Sequence, residues 1–194
     1  MGDGTAALPA TTGTALAFFD EVDPSSGAVL QSWALPSGAS GCVTGAGTTN
    51  APASWFQITR SWDAGAVFVG CWRMAAPGTT APVASTNAKA VYRLDSNGSV
   101  ALYATWVTGG TGSIRAVAAP NSSGKVFWTG SSGLYFADPW DTVGTSAEHR
   151  VPSSSVTNGY LNVAYSPNGV YVAAGAAGSM LEYPICELPP HTYA

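Results

Sequence analysis

The segment WDAGAVFVG at 62–70 decides the fold because its pattern returns twice along the chain. The related segments are NSSGKVFWTG at 121–130 and PNGVYVAAG at 167–175. Each has a polar turn that ends in glycine, a run of apolar strand formers and a second glycine, which is typical of a tight β-hairpin. The turn glycines are Gly65, Gly124 and Gly169, so they are 59 and then 45 residues apart. Several strands repeated at about this period indicate the blades of a β-propeller.

Two kinds of hairpin alternate along the chain. An apolar strand precedes each repeated segment, and the returning strands are apolar at successive positions, which predicts inner strands that are covered on both faces. The second kind occupies 18–30 and 91–100, where polar and apolar residues alternate. This alternation predicts outer strands with one face in water.

The order of these hairpins predicts an all-β protein, because helical patterns free of glycine and proline are almost absent. The expected architecture is a β-propeller of four-stranded antiparallel blades over residues 1–186, followed by a proline-containing tail over 187–194. The strands, including candidates at 134–136, 149–151 and 180–183, supply about three and a half to four blades. Propellers typically have four to eight blades, so we expect a ring that is incomplete or is completed by another chain.

The composition favours an extracellular protein that neither binds nucleic acid nor inserts into a membrane. Only 9% of the residues are charged and 46% are apolar, and 23 of the 194 residues are glycine. Serine, threonine and asparagine must therefore supply the polar surface. The net charge is −4 and the five arginines are scattered, without the basic stripe that neutralises phosphates. No apolar run approaches the roughly twenty residues that cross a bilayer.

Three cysteines, Cys42, Cys71 and Cys186, give an odd count. Cys42 precedes the first repeated hairpin and Cys71 ends its returning strand, so a Cys42–Cys71 disulfide is expected in an oxidising compartment. The alternative is three small buried apolar side chains. The pairing of Cys186 stays open.

Candidate sites for sugars lie in turns and loops. Asn97 and Asn121 begin sequons on hairpin tips, where attached glycan would be tolerated, although asparagine and serine also occur there simply as turn formers. Among the seven tryptophans, Trp55 and Trp140 follow or adjoin proline in loops and are expected to expose a ring that could contact a partner or a glycan.

Catalytic patterns are not found. The two histidines, His149 and His191, are far apart and have no second metal ligand at useful spacing. The acidic residues near the first hairpin and beside Trp140 are expected to be solvated turn residues. We therefore predict no catalytic residues, no metal, no cofactor and no enzymatic activity.

The segments GDGTAAL at 2–8, VDPSSGAVL at 22–30 and VFWTGSSGLY at 126–135 together give a resemblance over nearly the whole chain. The chain resembles alanine-, glycine- and threonine-rich secreted β-propeller proteins of bacteria and green algae, with distant WD40- and kelch-like blades. That resemblance implies a surface-associated extracellular propeller without a defined enzymatic role. The segment SWDAGAVF at 61–68 also resembles the Asp-box of sialidase-like propellers, in which serine and aspartate stabilise a turn away from the chemistry.

These observations predict a structural or adhesive module at the cell surface. Its partners would be other protein chains or copies of itself, contacted through open blade edges and rim loops. The alternative is a carbohydrate-binding or carbohydrate-cleaving propeller of the sialidase or glycosidase kind.

Overall fold

The computed structural model describes residues 14–45, 57–75, 88–106, 114–130, 133–139, 160–167, 169–174 and 186–188. These residues form strands and turns without helix, and every strand pair is antiparallel, which confirms the all-β prediction. No helix in the described part is long and apolar enough to span a bilayer. The strands are β1 (Thr14–Ala15), β2 (Phe18–Val22), β3 (Val29–Ala34), β4 (Cys42–Gly45), β5 (Ile58–Arg60), β6 (Ala66–Arg73), β7 (Ala88–Asp95), β8 (Val100–Trp106), β9 (Ala116–Ala118), β10 (Val126–Gly130), β11 (Gly133–Ala137), β12 (Tyr160–Ser166), β13 (Gly169–Ala174) and β14 (Cys186–Leu188).

The strands form four sheets. The first sheet is the β2–β3 hairpin, and the central sheet has the order β1-β4-β6-β7-β8 with β5 also paired to β6. The third sheet is β9-β10-β11 and the fourth is β12-β13-β14. All three repeated segments are hairpins, as predicted, since β5 pairs with β6, β9 with β10 and β12 with β13. The predicted strand at 134–136 lies within β11, while those at 149–151 and 180–183 lie outside the described residues. The last described strand, β14, covers Cys186–Leu188, and the rest of the predicted tail lies outside the described residues.

The sheets stack face to face through three apolar clusters. Phe19 and Leu35 from the first sheet and the loop after it pack on Val69 and Tyr92 of the central sheet. The opposite face of the central sheet, which includes Phe68, packs on the third sheet. The third sheet in turn packs on the fourth. Side chains of the central and third sheets are therefore enclosed on both faces.

The two predicted outer hairpins differ in burial. The β2–β3 hairpin is wet on its outward face, as predicted, and most of its residues are exposed. The prediction was wrong for the other hairpin, because β7 and the second half of β8 are buried on both faces. The reason is the stacking: the first sheet covers one side of the central sheet and the third sheet covers the other.

Gly70 in β6 lets the third sheet approach the central sheet closely. A Cβ atom built on Gly70 would lie 2.5 Å from the Cγ2 atom of Ile114 and 3.0 Å from that of Val117. Real Cβ atoms do not approach other carbons to 2.5 Å, so any larger residue would push the two sheets apart. Glycine in this strand is therefore a packing requirement.

A disulfide joins Cys42 of β4 to Cys71 of β6, as the sequence predicted. The Cα atoms are 5.6 Å apart, and both side chains are buried in the cluster between the first and central sheets. The bridge closes a loop whose ends are 29 residues apart. In the chain-entropy description, a loop of this size stabilises the fold by about 3–4 kcal/mol.

Replacing both cysteines, Cys42→Ala with Cys71→Ala, is expected to lower the free energy of unfolding by about 3–4 kcal/mol, because the unfolded chain regains the freedom that the bridge removes. Urea unfolding followed by tryptophan fluorescence measures this change. Dithiothreitol should lower the stability of the wild type and leave the double variant unchanged. Equal sensitivity of the two proteins to the reductant would contradict the assignment.

Candidate functional site

The hairpin turn between β5 and β6 is fixed by the buried side chain of Ser61. Its hydroxyl oxygen accepts the N–H of Ala66 at 3.1 Å and lies 3.1 Å from the Ala66 carbonyl oxygen. Ala64 takes a left-handed conformation with φ of 60°, and its N–H donates to the Ser61 carbonyl oxygen at 2.9 Å. These bonds close the turn within five residues, which is the structural role expected for this segment.

Asp63 connects this turn to the turn between β9 and β10. One carboxylate oxygen accepts the N–H of Gly65 at 3.0 Å, and the other accepts both the N–H and the hydroxyl of Ser122 at 2.8 Å. The N–H of Trp62 donates to the carbonyl oxygen of Ala119 at 3.1 Å. The β5–β6 turn of the central sheet and the β9–β10 turn of the third sheet are therefore joined by hydrogen bonds, and the Asp63 carboxylate accepts bonds from both turns.

Hydrogen bonds hold the pKa of Asp63 well below its ordinary value. The largest cause is the Ser61 side chain, followed by the N–H groups of Ser122 and Gly65. A donor that approaches the ionised carboxylate favours that form over the protonated one. The ionised form of Asp63 is thus part of the folded structure at neutral pH.

The first cleft is a depression of about 150 Å³ beside these turns. It is lined by Thr59, Arg60, Trp62, Ala118, Ala119, Val163, Ala164 and Tyr165, which come from three successive sheets. The rings of Trp62 and Tyr165 meet edge to face, with centroids 6.4 Å apart and planes at 71°. Trp62 is 59% exposed, an unusual degree for a tryptophan in a hairpin turn with this many hydrogen bonds.

The second cleft adjoins the first at Tyr165, which lines both. It has a volume of about 260 Å³ and is lined by Pro120, Asn121, Lys125, Phe127, Tyr165, Gly169 and Val170. Lys125 lies 3.6 Å from the carboxylate of Asp138 and 4.9 Å from the ring centroid of Phe136. We call the surface that contains both clefts and the turns at 61–65 and 120–124 the turn face.

The predicted glycan sites are exposed in turns. The side-chain oxygen of Asn97 accepts the N–H of Ser99, and that of Asn121 accepts the N–H of Ser123. These are local turn bonds, so both asparagines serve as turn formers in the structure. Glycan attachment at either residue stays a prediction.

The predicted exposed aromatic residues, Trp55 and Trp140, lie outside the described residues. The ring that the described structure does expose is that of Trp62, which sequence reasoning did not single out. The sequence signal for its exposure was its position inside the predicted turn. Trp62 follows Ser61 directly and belongs to neither flanking strand, so no strand pattern predicts that its ring is buried. Within the described ranges no group of three histidine, cysteine, aspartate or glutamate side chains is arranged to hold a metal ion.

A buried lysine lies at the other end of the sheets. Lys89 of β7 is 1% exposed and stands opposite Trp72 of β6 and Trp106 of β8 in the strand register. Its Nζ atom lies 4.9 Å from the centroid of the Trp72 ring. Trp106 stacks on Trp128 with centroids 4.3 Å apart, and Trp128 stacks on Tyr135 at 4.1 Å.

Burial lowers the pKa of Lys89 to about 8, because the ammonium group loses its hydration. The ring of Trp72 offsets part of that loss through a cation–π contact. The indole N–H groups of Trp106 and Trp128 are also buried and find no acceptor among the described residues. Three polar groups are thus enclosed in an aromatic cluster.

Replacing Asp63 by asparagine is expected to destabilise the protein at neutral pH, because the charged acceptor between the two turns is lost. A carboxyl with a lowered folded-state pKa stabilises the fold above its unfolded pKa and loses that contribution as the pH falls through its folded value. The difference in urea midpoint between wild type and variant should therefore be largest near pH 7 and narrow below about pH 4. The control, Asp138→Asn, removes an exposed carboxylate with one ion pair. A difference that does not depend on pH would contradict the role of Asp63.

Replacing Lys89 by methionine is expected to abolish a rise in stability between about pH 8 and pH 10.5, because methionine does not titrate and the wild-type lysine does. In the wild type, stability should rise as the pH increases from about 8 toward the ordinary lysine value of 10.5, because the unfolded chain binds the extra proton in this range. Urea unfolding at several pH values measures this effect. Lys125→Met controls for loss of a partly exposed lysine. A variant whose stability rises over this pH range as much as that of the wild type would contradict this account.

The comparisons with known proteins give no relative from which a role could be transferred. No family model matches the chain, and no match was found among the curated proteins or the solved structures.

Proposed function

We propose that this chain is a structural or adhesive extracellular module of the β-propeller type. The observation that supports it is the side-by-side arrangement of β5, β9 and β12, the first strands of the three repeated hairpins in three successive antiparallel sheets. In a propeller the first strand of each blade lies nearest the central axis, and neighbouring blades pack through their faces. The run β5-β6-β7-β8 is an antiparallel meander of four strands, which is the composition of one blade.

The extracellular part of the proposal is supported by chemistry that suits an oxidising compartment. The Cys42–Cys71 disulfide is buried in the core. Disulfides of this kind persist in secreted and surface proteins and are rare in the cytosol. The low charge content and the exposed sequons at Asn97 and Asn121 agree with the same location.

The adhesive part rests on the outward surface of the first sheet. Val22, Val29 and Leu30 are 47%, 59% and 63% exposed, and Val22 stands opposite Val29 at the end of the hairpin. Contiguous exposed apolar side chains on a sheet favour contact with another protein. The opposite end of the stack, at β12, presents the smaller exposed side chain of Asn162.

We infer head-to-tail association, in which the first sheet of one copy packs on the fourth sheet of the next. Two different surfaces that meet in this way give a heterologous contact, which either closes into a ring or continues as an open assembly. The face-to-face stacking of the four sheets within one chain would then continue between chains. No catalytic step is part of this function.

The double variant Val29→Asp with Leu30→Asp is expected to remain monomeric under conditions in which the wild type associates, because it places two charges in the contact. Size-exclusion chromatography with light scattering over a range of protein concentrations measures the mass of each protein. Gln31→Asp, on the same strand, adds one charge without removing an apolar side chain. A wild type that stays monomeric at every concentration would contradict self-association.

A further inference from the structure

We propose that the first cleft binds an anionic saccharide, with the Trp62 ring as the stacking surface and the Arg60 guanidinium as the partner of a carboxylate or sulfate group on the sugar. This site lies apart from the outward surface of the first sheet. It does not depend on the self-association proposed above.

The position of Trp62 is the first support. Its backbone N–H is bonded to Ala119, and the residues on either side, Ser61 and Asp63, are tied by hydrogen bonds on both sides of the turn. The backbone below the exposed ring is therefore fixed before any ligand arrives. Pre-organisation of this kind lowers the entropic cost of binding.

The arrangement of the two rings is the second support. The ring plane of Tyr165 lies at 71° to that of Trp62, so the two rings form two adjacent walls of the cleft. Trp62 is 59% exposed, so its ring is accessible to the apolar C–H side of a sugar ring, and Tyr165, which carries a phenol hydroxyl, is the second aromatic residue of the lining. A cleft of about 150 Å³ has room for a unit of the size of one sugar ring, not for a folded protein segment.

The charge of the cleft is the third support. Arg60 is exposed, and none of the eight described residues that line the cleft is acidic. The nearest acidic residue in sequence, Asp63, has both carboxylate oxygens engaged by Gly65 and Ser122. The planar guanidinium forms paired hydrogen bonds with carboxylate or sulfate oxygens, which makes a charged sugar a better occupant than a neutral one.

The second cleft indicates that the ligand has more than one sugar unit. It shares Tyr165 with the first cleft and contains Lys125, a second cation. An oligosaccharide with one sugar unit on Trp62 would extend past Tyr165, and its next unit would lie near Lys125. We therefore expect oligosaccharides to bind more tightly than the corresponding monosaccharide.

The test measures binding of three probes to the full chain by calorimetry: an oligogalacturonate, a sulfated galactan oligosaccharide and a neutral galactan oligosaccharide. We expect the charged probes to bind more tightly than the neutral one, and the difference to shrink in high salt. The comparison between carboxylated and sulfated probes identifies which anion the site prefers. Equal binding of all three probes, or binding of none, would overturn the proposal.

Two substitutions separate stacking from charge recognition. Trp62→Ala should weaken binding of every probe by about tenfold or more, whereas Trp62→Phe should keep most of the affinity. Arg60→Gln should remove the preference for charged probes and leave the weak binding of the neutral one. Protection of tryptophan fluorescence from iodide by the charged probe should be lost in Trp62→Ala.

The matched control is Ile58→Ala. Ile58 is 54% exposed on the same strand as Arg60 and does not line the cleft, so its replacement should leave binding unchanged. Near-ultraviolet circular dichroism checks that each variant is folded. Binding that survives in both Trp62→Ala and Arg60→Gln would place the ligand elsewhere and refute the proposed site.

Discussion

The structure depends on the covering of one sheet by the next. A chain in which 9% of the residues are charged has few side chains that can keep a sheet face in water. Antiparallel sheets can have one wet face, but here the central sheet is covered on both sides by apolar clusters from its neighbours. Gly70 allows the close approach that this packing needs. Apart from β1, the order of the sheets in space follows their order in the chain, so each sheet packs on the one that precedes it in the sequence.

The hairpins and the disulfide could be predicted from the sequence because their signals are local or nearly so. A turn that ends in Gly65, Gly124 or Gly169 and leads into an apolar run specifies a hairpin within a dozen residues. The bridge between Cys42 and Cys71 followed from the position of one cysteine at the end of a predicted strand. These features need no knowledge of how the sheets are arranged.

The remaining features depend on contacts between distant segments. The bond between Asp63 and Ser122 joins residues 59 positions apart, and neither turn alone indicates its partner. The same limit explains the wrong expectation for β7 and β8. Their alternation of polar and apolar residues is typical of a sheet with one exposed face, but packing against the third sheet buries that face as well. The burial of Lys89 had no local signal, because a lysine at that position in a strand normally reaches solvent.

On the turn face, the same residues stabilise the packing of two sheets and position an exposed aromatic ring. The bonds of Ser61 and Asp63 join two sheets, and the same bonds hold Trp62 at the rim of the first cleft. A turn that only joined sheets would not need a large exposed ring, and an exposed ring on a loose turn would lose more freedom when a ligand ordered it. One short segment therefore contributes both to the packing of the fold and to the shape of the surface.

The arrangement along β6 makes the disulfide the covalent link of one of two strands that share an edge. β4 and β5 pair with the same edge of β6, β4 at Trp72 and Arg73 and β5 at 67–69, so the disulfide fastens one of two strands that share a single edge. Once the bridge is reduced, β4 keeps two register pairs with β6, its pairing with β1, the neighbouring bond from the Met74 N–H to the Gly41 carbonyl oxygen, and its apolar packing. Release of β4 would bare unpaired N–H and C=O groups that can recruit a strand from another molecule. Reduction of the bridge would in this way open a backbone edge of the fold to strand exchange between molecules.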